Sequence, residues 1–338
     1  MKKKSGKRRR KKKTLSPEEL ERRAAEAYVA QFGLENLITQ AAFLRRRFVL
    51  HGEPTNSGKT YDAIQALKKA RSGIYLGPLR LLALEIFDRL NEDGCRCELL
   101  TGEEHEWMDG AEHTASTIEL CNYKRRYEVA VIDEAQMLTD PFRGAHWTRA
   151  ILGVDAEEVH ICFAPEALEI ITWLLTQVGA DSQLVRHERL CPLEYAGRLP
   201  GLRHVQPGDA LITFSKVGVL SVAEELRQSG KEPAIIYGAL PYSTRRKQME
   251  GFLEGRMEYV VATDAIGMGL NLPIRRILFM DTEKFDGLER RALKPEEIQQ
   301  IAGRAGRFGM YDKGYVGANQ DLASIRAGLE AVVPPLQT

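Results

Sequence analysis

The sequence predicts an α/β fold with two successive domains, each built on a parallel sheet. Short apolar runs alternate with helical segments along the chain, which is the pattern of parallel strands covered by helices. This alternation stops near residue 182 and starts again near residue 210. A chain of 338 residues is long enough for two domains, each with its own core. We therefore expect the same architecture twice, although no sequence repeat is visible.

The composition excludes several other protein classes. Hydrophobic residues make up 43% and charged residues 28% of the chain, as in folded globular proteins. No apolar run is long enough to span a bilayer, so no membrane partner is predicted. The five cysteines are scattered and form no C-x-x-C pair, which argues against a disulfide framework and a zinc site. A reducing compartment fits this pattern best.

The first 13 residues differ sharply in charge from the remainder. They hold ten Lys or Arg and no acid, which leaves 38 basic against 47 acidic residues elsewhere, a formal net charge of −9. Such a run repels itself, so residues 1–15 are predicted to be a disordered basic arm that contacts nucleic acid. A merely solubilising tail is the alternative. The arm lacks the patterns of secretory signals and transit peptides, so bacterial cytoplasm is the expected location, with the mitochondrial matrix as alternative.

The first domain is predicted over residues 16–185. It should begin with a helix, because Ser16-Pro17-Glu18-Glu19 places a capping residue, a proline and two acids in helix-starting order. Short apolar runs then predict strands at 48–50, 74–76, 98–100, 116–118, 129–132 and 159–162.

Residues 186–207 are less regular, and the runs Cys191-Pro192 and Leu199-Pro200-Gly201 within them suggest a linker. The second domain is predicted over 208–317, and residues 318–338 are predicted to form a short tail. The expected strands of the second domain lie at 210–214, 234–237, 259–261 and 277–279, and its expected helices lie at 219–228 and 244–253.

A phosphate-binding loop is predicted between the first strand and a helix, in the run Pro54-Thr55-Asn56-Ser57-Gly58-Lys59-Thr60. Backbone N–H groups and the positive helix end cradle a polyphosphate such as that of ATP. In this pattern Lys59 reaches the β- and γ-phosphates, and the Thr60 hydroxyl faces Mg²⁺. Glu53 departs from the pattern, which has glycine there.

Two carboxylates follow the strand predicted at 129–132. Asp133 would lie at the carboxyl edge of the sheet and hold Mg²⁺ through water. Glu134 could then act as general base on the attacking water. A solvated helix start is the alternative for an Asp-Glu pair taken alone.

A third cluster lies near the end of the second domain, where Arg304 and Arg307 are three residues apart and flanked by glycines. An arginine presented from a second domain to the γ-phosphate acts as an arginine finger. A basic turn that binds RNA is the alternative, since arginine serves both purposes.

A tight hairpin is predicted over residues 284–290. Asp286-Gly287 is a preferred hairpin centre. We expect the hairpin to help part or steer a duplex, and a plain surface hairpin is the alternative.

Seven motifs in order resemble those of superfamily-two helicases, in particular the group of the mitochondrial degradosome RNA helicase and its bacterial relatives. They comprise residues 54–60, 77–83, 101–103, 133–136, 214–216, 262–271 and 300–307. The resemblance implies two tandem RecA-like domains that close on ATP and Mg²⁺ while single-stranded RNA lies across both. It assigns Gln300 to the γ-phosphate and Asp264 and Gly267 to the nucleotide. It assigns backbone contacts with RNA to Pro78, Arg80, Thr101, Gly102, Lys216 and Thr263.

The function expected from this resemblance is that of an ATP-dependent RNA helicase or 3′-to-5′ translocase. A DNA helicase and an ATP-gated RNA-binding adaptor with weak turnover are the alternatives. The run Cys162-Phe163-Ala164 departs from the family pattern and leaves open whether duplex is unwound. An exoribonuclease partner is left open as well.

Overall fold

The computed structural model describes residue 38 and residues 44–52, 59–186, 189, 191–267, 272–307 and 309–336. Within these residues two largely parallel sheets follow one another along the chain, so the predicted α/β fold class is confirmed. The basic arm, the helix expected from residue 16, and residues 53–58 of the phosphate loop lie outside the described residues. No helix within the described ranges is long and apolar enough to cross a membrane.

The described residues of the first domain form a sheet in the order β4-β3-β5-β2-β6-β7-β1-β8, parallel except for the β3–β4 pair. Its strands are β1 (Arg47–Gly52), β2 (Gly73–Gly77), β3 (Cys97–Leu100), β4 (His105–Glu106), β5 (His113–Thr117), β6 (Tyr127–Ile132), β7 (Ala156–Phe163) and β8 (Ser182–Val185). The helices are α1 (Lys59–Lys69), α2 (Arg80–Glu92), α3 (Gly144–Gly153) and α4 (Leu168–Gln177).

The second domain repeats this plan with a parallel sheet in the order β11-β12-β10-β13-β16-β9 among the described residues. Its strands are β9 (Leu193–Arg198), β10 (Asp209–Ile212), β11 (Pro233–Ile236), β12 (Tyr259–Ala262), β13 (Arg276–Phe279) and β16 (Gly314–Ala318), and the hairpin strands are β14 (Glu283–Phe285) and β15 (Arg290–Ala292). The helices are α5 (Lys216–Gln228), α6 (Tyr242–Leu253), α7 (Pro295–Ala302) and α8 (Leu322–Glu330).

Burial on both faces explains why the central strands read as continuous apolar runs. All five residues of β2 are buried, as are the last four of β6. Helices therefore cover both faces of the sheet, as expected for parallel strands. Trp147 of α3 packs on one face and Ile64 of α1 on the other, both fully buried.

Strand register brings the predicted site residues to one edge. Leu76 of β2 pairs with Ile132 of β6, and Ile132 pairs with Ile161 of β7. The loops that follow these parallel strands therefore leave the sheet together, which is where ligands bind in open α/β sheets.

Two parts of the chain differ from the predicted organisation. The expected linker over 186–207 contains β9, an edge strand that pairs with β16 in the second sheet. The expected tail over 318–338 contains α8, which packs against α7; Gln299 donates side-chain hydrogen bonds to Gly328 O at 3.0 Å and Ala331 O at 2.7 Å. Both segments belong to the second folded unit.

Candidate functional site

Asp133 is held rigidly at the carboxyl end of β6. The side chain is 4% exposed. Its Oδ2 accepts a hydrogen bond from the Tyr75 hydroxyl at 2.9 Å, and its Oδ1 accepts one from the Glu134 backbone N–H at 2.9 Å. The Trp147 indole N–H binds the Asp133 carbonyl at 3.0 Å. The carboxylate is thus fixed by its own backbone, by β2 and by α3.

Thr60 lies beside this carboxylate, as the sequence predicts. Its Oγ1 is 3.4 Å from Asp133 Oδ1, across 73 residues of sequence. Lys59, the preceding residue, begins α1, which follows the phosphate-loop segment. Of the predicted loop, residues 54–58 lie outside the described part of the chain. The hydroxyl and the carboxylate form an oxygen donor pair of the kind that suits Mg²⁺.

Tyr75 and Trp147 are site residues that the sequence does not reveal. Burial and the neighbouring Asp133 charge raise the pKa of Tyr75 well above its usual value. Its hydroxyl therefore remains a hydrogen-bond donor to the carboxylate. In the sequence both residues look like ordinary core aromatics. The hydrogen-bonding roles of the hydroxyl and the indole N–H become visible only when the fold shows their partners.

Glu134 adopts an unusual backbone conformation. Its φ of 50° and ψ of 44° lie in the left-handed region, which non-glycine residues rarely adopt. Such strain is retained where the surroundings enforce it, often at functional sites. The conformation directs Glu134 into the space between the domains, where it lines a cavity of about 170 Å³.

Gln136 connects Glu134 to the segment after β7. Its amide nitrogen donates to Glu134 Oε2, and its amide oxygen accepts the Ala164 N–H at 3.1 Å. Ala164 belongs to the stretch in which the sequence departs from the family pattern. The hydrogen-bonded link between the carboxylate and this stretch is therefore present despite the altered residues.

Arg304 reaches Glu134 from the second domain. Its guanidinium lies 3.5 Å from Glu134 Oε1, and the two side chains are 16% and 11% exposed. The same guanidinium donates to the Gly267 carbonyl, at 3.1 Å from Nε and 2.5 Å from Nη2. The predicted finger arginine and the predicted general base thus meet across the domain boundary.

The turn that carries Arg304 and Arg307 is fixed by an arginine from the segment predicted to be a linker. Arg189 donates to the carbonyls of Gly303 at 3.1 Å and Ala305 at 2.7 Å. Gly306 is required here, because its φ is +76° and a Cβ would lie 2.5 Å from the Gly314 nitrogen. Arg307 is half-buried in this turn, and its carbonyl accepts two backbone hydrogen bonds.

The other nucleotide candidates of the second domain lie around the same cavity. Gln300 of α7 and Asp264 line its wall together with Pro78 of the first domain. Gly267 ends the 3-10 helix Asp264–Gly267 and supplies the carbonyl that binds Arg304. Asp264 is already engaged by Lys284, whose Nζ lies 3.0 Å from Asp264 Oδ2.

The predicted RNA-contact residues of the first domain follow the ends of β2 and β3. Pro78 is buried, and its carbonyl accepts a hydrogen bond from Arg143 at 2.6 Å. Arg80 begins α2 and forms an ion pair with Glu103. Thr101 is 6% exposed, and its hydroxyl is bound within the turn to Glu104. Gly102 has open space where a side chain would lie.

The RNA-contact candidates of the second domain follow the ends of β10 and β12. Lys216 begins α5, is exposed, and lies over the Tyr237 ring at 5.5 Å. Thr263 directly follows β12, and its hydroxyl accepts the Ala265 N–H at 3.3 Å. In both domains the candidates therefore follow the carboxyl ends of parallel strands.

Comparison with known protein families gives two matches, and the boundary between them coincides with the boundary between the two sheets. Residues 35–187 match the DEXQ-box helicase domain of Suv3, and residues 194–309 match the helicase conserved C-terminal domain. The second match starts at the first residues of β9, in agreement with the placement of that strand in the second sheet.

Curated relatives align along nearly the whole chain. The chain is 43% identical over 319 residues to the chicken (Gallus gallus) "ATP-dependent RNA helicase SUPV3L1, mitochondrial", with 89% of this chain and 40% of the relative covered. It is 42% identical to the human protein of that name, with the same coverage. The rice (Oryza sativa subsp. japonica) "ATP-dependent RNA helicase SUV3L, mitochondrial" is 43% identical, with 80% and 37% covered. The chain thus spans about 40% of the length of these relatives.

A solved structure supports the fold alone. Dbp5 of S. cerevisiae, bound to RNA and ADP BeF3, superposes with a TM-score of 0.64 at 15% identity, covering 95% of this chain and 93% of Dbp5. The likeness to Dbp5 shows the tandem RecA-like fold, and the two family matches show that residues 35–187 form a DEXQ-box helicase domain of the Suv3 type and that residues 194–309 form a helicase C-terminal domain.

Proposed function

We propose that the chain is an ATP-dependent RNA helicase or translocase that hydrolyses ATP between its two domains while holding single-stranded RNA. The observation that carries this proposal is the 3.5 Å approach of Arg304 in the second domain to Glu134 in the first. It joins the two groups needed for phosphoryl transfer at the domain boundary. The names of the relatives, ATP-dependent RNA helicases, support the same activity.

The residues around Asp133 fit an ATP-bound Mg²⁺. Bound Mg²⁺ would supply neutralisation of the phosphate charge. Thr60 and Asp133 would hold it, with Asp133 acting through water, since Mg²⁺ keeps several of its water ligands. Tyr75 and Trp147 would keep the carboxylate in place, because they bind its oxygen and its backbone.

Glu134 would orient the attacking water and accept its proton. Gln136 would fix the carboxylate rotamer through its amide nitrogen. Arg304 would stabilise the charge that develops on the γ-phosphate. Gln300 and Arg307 would be the other residues that the second domain contributes to the ATP site. Hydrolysis would then require the closed arrangement of the domains.

RNA would cross the strand ends of both domains. Pro78, Arg80, Thr101 and Gly102 would bind it on the first domain, and Lys216 and Thr263 on the second. Such contacts position the backbone without reading base sequence. The basic arm over residues 1–13 would add salt-dependent affinity to a body that is net acidic.

The cellular context of the relatives changes the predicted location. The chicken, human and rice relatives are mitochondrial by name, which favours the mitochondrial matrix over the predicted bacterial cytoplasm. An exoribonuclease partner stays a prediction from the resemblance. Copurification from a mitochondrial extract, with and without ribonuclease treatment, would separate a direct nuclease contact from one bridged by RNA.

The test is ATP turnover measured without nucleic acid, with single-stranded RNA and with single-stranded DNA of the same sequence. We expect strong stimulation by RNA and much weaker stimulation by DNA, since the 2′-hydroxyl distinguishes the two. Equal stimulation would favour the DNA helicase alternative. Tight RNA binding without turnover would favour the adaptor alternative.

A further inference from the structure

The hairpin β14–β15 has an exposed apolar end and a charged base. Phe285 is 61% and Leu288 is 92% exposed. Asp286 closes the turn by accepting the backbone N–H groups of Leu288 and Glu289, both at 3.0 Å. Gly287 has a φ of +102°, which permits the turn. The predicted hairpin is therefore present, and its turn is closed by hydrogen bonds from the backbone to Asp286.

The base of this hairpin is joined to two other elements by Lys284. Its Nζ lies 3.0 Å from Asp264 Oδ2 and 2.8 Å from Glu297 Oε1 of α7. Arg291, on the neighbouring strand, makes a bidentate pair with Glu297 at 2.8 and 2.9 Å. One lysine thus ties the hairpin both to the 3-10 helix Asp264–Gly267 and to α7.

This cluster is partly buried and stays charged at neutral pH. The side chains of Lys284 and Glu297 are 19% and 18% exposed. Burial alone would raise the pKa of Glu297, but hydrogen bonds from Arg291 and Lys284 lower it to about 2. Charge-assisted hydrogen bonds of this kind are stronger and more directional than neutral ones.

A second ion pair in the same hairpin provides a contrast. Arg290 lies 3.8 Å from Glu283, and their side chains are 70% and 59% exposed. Exposed pairs of this type contribute little. Within the described part of the chain, the Arg290–Glu283 pair joins only the two strands of the hairpin and contacts neither α7 nor the 3-10 helix. The hairpin is therefore anchored through Lys284 and Arg291.

The two elements that Lys284 joins are those that hold Arg304. The 3-10 helix ends at Gly267, whose carbonyl binds the Arg304 guanidinium. Helix α7 carries Gln300 and runs directly into the turn with Arg304. Lys284 also lines the interdomain cavity together with Glu134. A shift of Arg304 relative to Glu134 would therefore also displace the base of the hairpin.

We propose that Lys284 is a positioning residue. Its ion pairs make the hairpin move as one body with α7 and the 3-10 helix Asp264–Gly267, the two elements that hold Arg304. Through this connection the exposed hairpin tip follows the opening and closing of the ATP site. As a consequence, ATP hydrolysis is coupled to the displacement of a strand from an RNA duplex. The inference rests on the proposed function and adds a residue to it.

The experiment compares Lys284→Gln with Lys284→Arg and with the control Arg290→Gln. Each variant is assayed for RNA-stimulated ATP turnover and for displacement of a strand from a 3′-tailed RNA duplex. Hydrogen exchange of the backbone amides over 283–292 is measured in parallel. This last readout reports the anchoring of the hairpin independently of any catalytic activity.

For Lys284→Gln we expect the number of strands displaced per ATP hydrolysed to fall by about fivefold or more, a typical size for coupling between sites. Exchange over 283–292 should accelerate. Lys284→Arg should keep most of the wild-type ratio, because it retains the cation, and Arg290→Gln should match the wild type. Loss of turnover and displacement in parallel, with unchanged exchange, would overturn the proposal and assign Lys284 a direct part in the ATP site, whose cavity it lines.

Two further outcomes separate this inference from the proposed function. A wild-type chain that hydrolyses ATP with RNA but displaces no strand would overturn the coupling and leave the ATPase proposal intact. A wild-type chain without RNA-stimulated turnover would overturn the proposed function itself. An unchanged ratio in Lys284→Gln would refute the inference alone.

Discussion

The side chains around β6 show how an apolar strand delivers two carboxylates with different surroundings. Asp133 is enclosed by Tyr75, Trp147 and its own backbone, whereas Glu134 turns away from the strand with a left-handed backbone. The first environment suits a metal-bound role, and the second opens onto the domain boundary. The roles proposed for these two adjacent carboxylates thus differ because their surroundings differ.

Glu134→Gln should abolish most turnover while leaving nucleotide binding intact. The amide keeps the shape of the side chain but cannot accept a proton, and general-base catalysis contributes about 10²–10⁴ in rate. Nucleotide affinity should change by less than about threefold, since the missing interaction belongs to the transition state. Steady-state turnover and ATP affinity are measured together. Glu128→Gln, at the opposite end of β6, is the matched control. A comparable loss of affinity and turnover would contradict the assignment.

Tyr75→Phe should raise the Mg²⁺ concentration required for turnover. The change removes the 2.9 Å hydrogen bond to Asp133 Oδ2 without altering the shape of the ring. A hydrogen bond to a charged group contributes about 1.5–3 kcal/mol, so the half-saturating Mg²⁺ concentration should rise by about tenfold or more. Turnover is titrated with Mg²⁺ at saturating ATP and RNA. If only thermal stability changes, Tyr75 has a packing role.

Strands β1 and β7 contain a buried imidazole pair near the carboxyl end of β1, His51 and His160. His51 Nε2 lies 2.9 Å from His160 Nδ1, and His160 Nε2 lies 2.5 Å from Glu158, which also pairs with Arg47. Burial and the Arg47 charge lower the pKa of His160 to about 4. The folded protein therefore keeps this ring neutral well below the ordinary histidine range.

This shift predicts a loss of stability in weak acid. Below about pH 6.5 the unfolded chain binds a proton that the folded chain does not take up until about pH 4. The free energy of unfolding should therefore fall by on the order of 3 kcal/mol as the pH drops through this window. Urea unfolding of the wild type and of His160→Gln measures the effect, and His204→Gln, at an exposed site, is the control. If the free energy of unfolding depends on pH in the same way in the wild type and in His160→Gln, His160 is not the source of the loss of stability.

The sequence predicts those elements whose signal is local. Strand β6 is a continuous apolar run, and the hairpin turn contains Asp286-Gly287, so both could be located without coordinates. Strand β9 was missed because it is an edge strand with mostly exposed residues and therefore lacks an apolar pattern.

Site residues that depend on distant partners could not be predicted. Arg189 acts on a turn more than 110 residues away, and Lys284 acts on two carboxylates from separate elements. Tyr75 looked like a core residue of β2. Each side chain has an unremarkable sequence context, and its role arises only when the fold brings its partner near.

The two domains meet through a small set of contacts that includes catalytic candidates. Leu81 of the first domain, 5% exposed, packs in the core cluster of the second. Arg246 lies 3.9 Å from Asp88 in a partly exposed pair that contributes little. Arg304 and Glu134 meet in a much less exposed environment. Among the described residues, the packing of Leu81 thus joins the domains, and the less exposed of these two ion pairs is the one proposed to carry out the chemistry.

The central claim is that the second domain completes the ATP site through Arg304. The most direct measurement is ATP turnover of Arg304→Ala at saturating RNA, together with its affinity for ATP, and with Arg290→Ala as an exposed control. The account predicts a loss of about 10³-fold or more in kcat. ATP affinity should remain within about threefold of the wild type, because the arginine acts in the transition state. Near-normal turnover of Arg304→Ala would contradict the account.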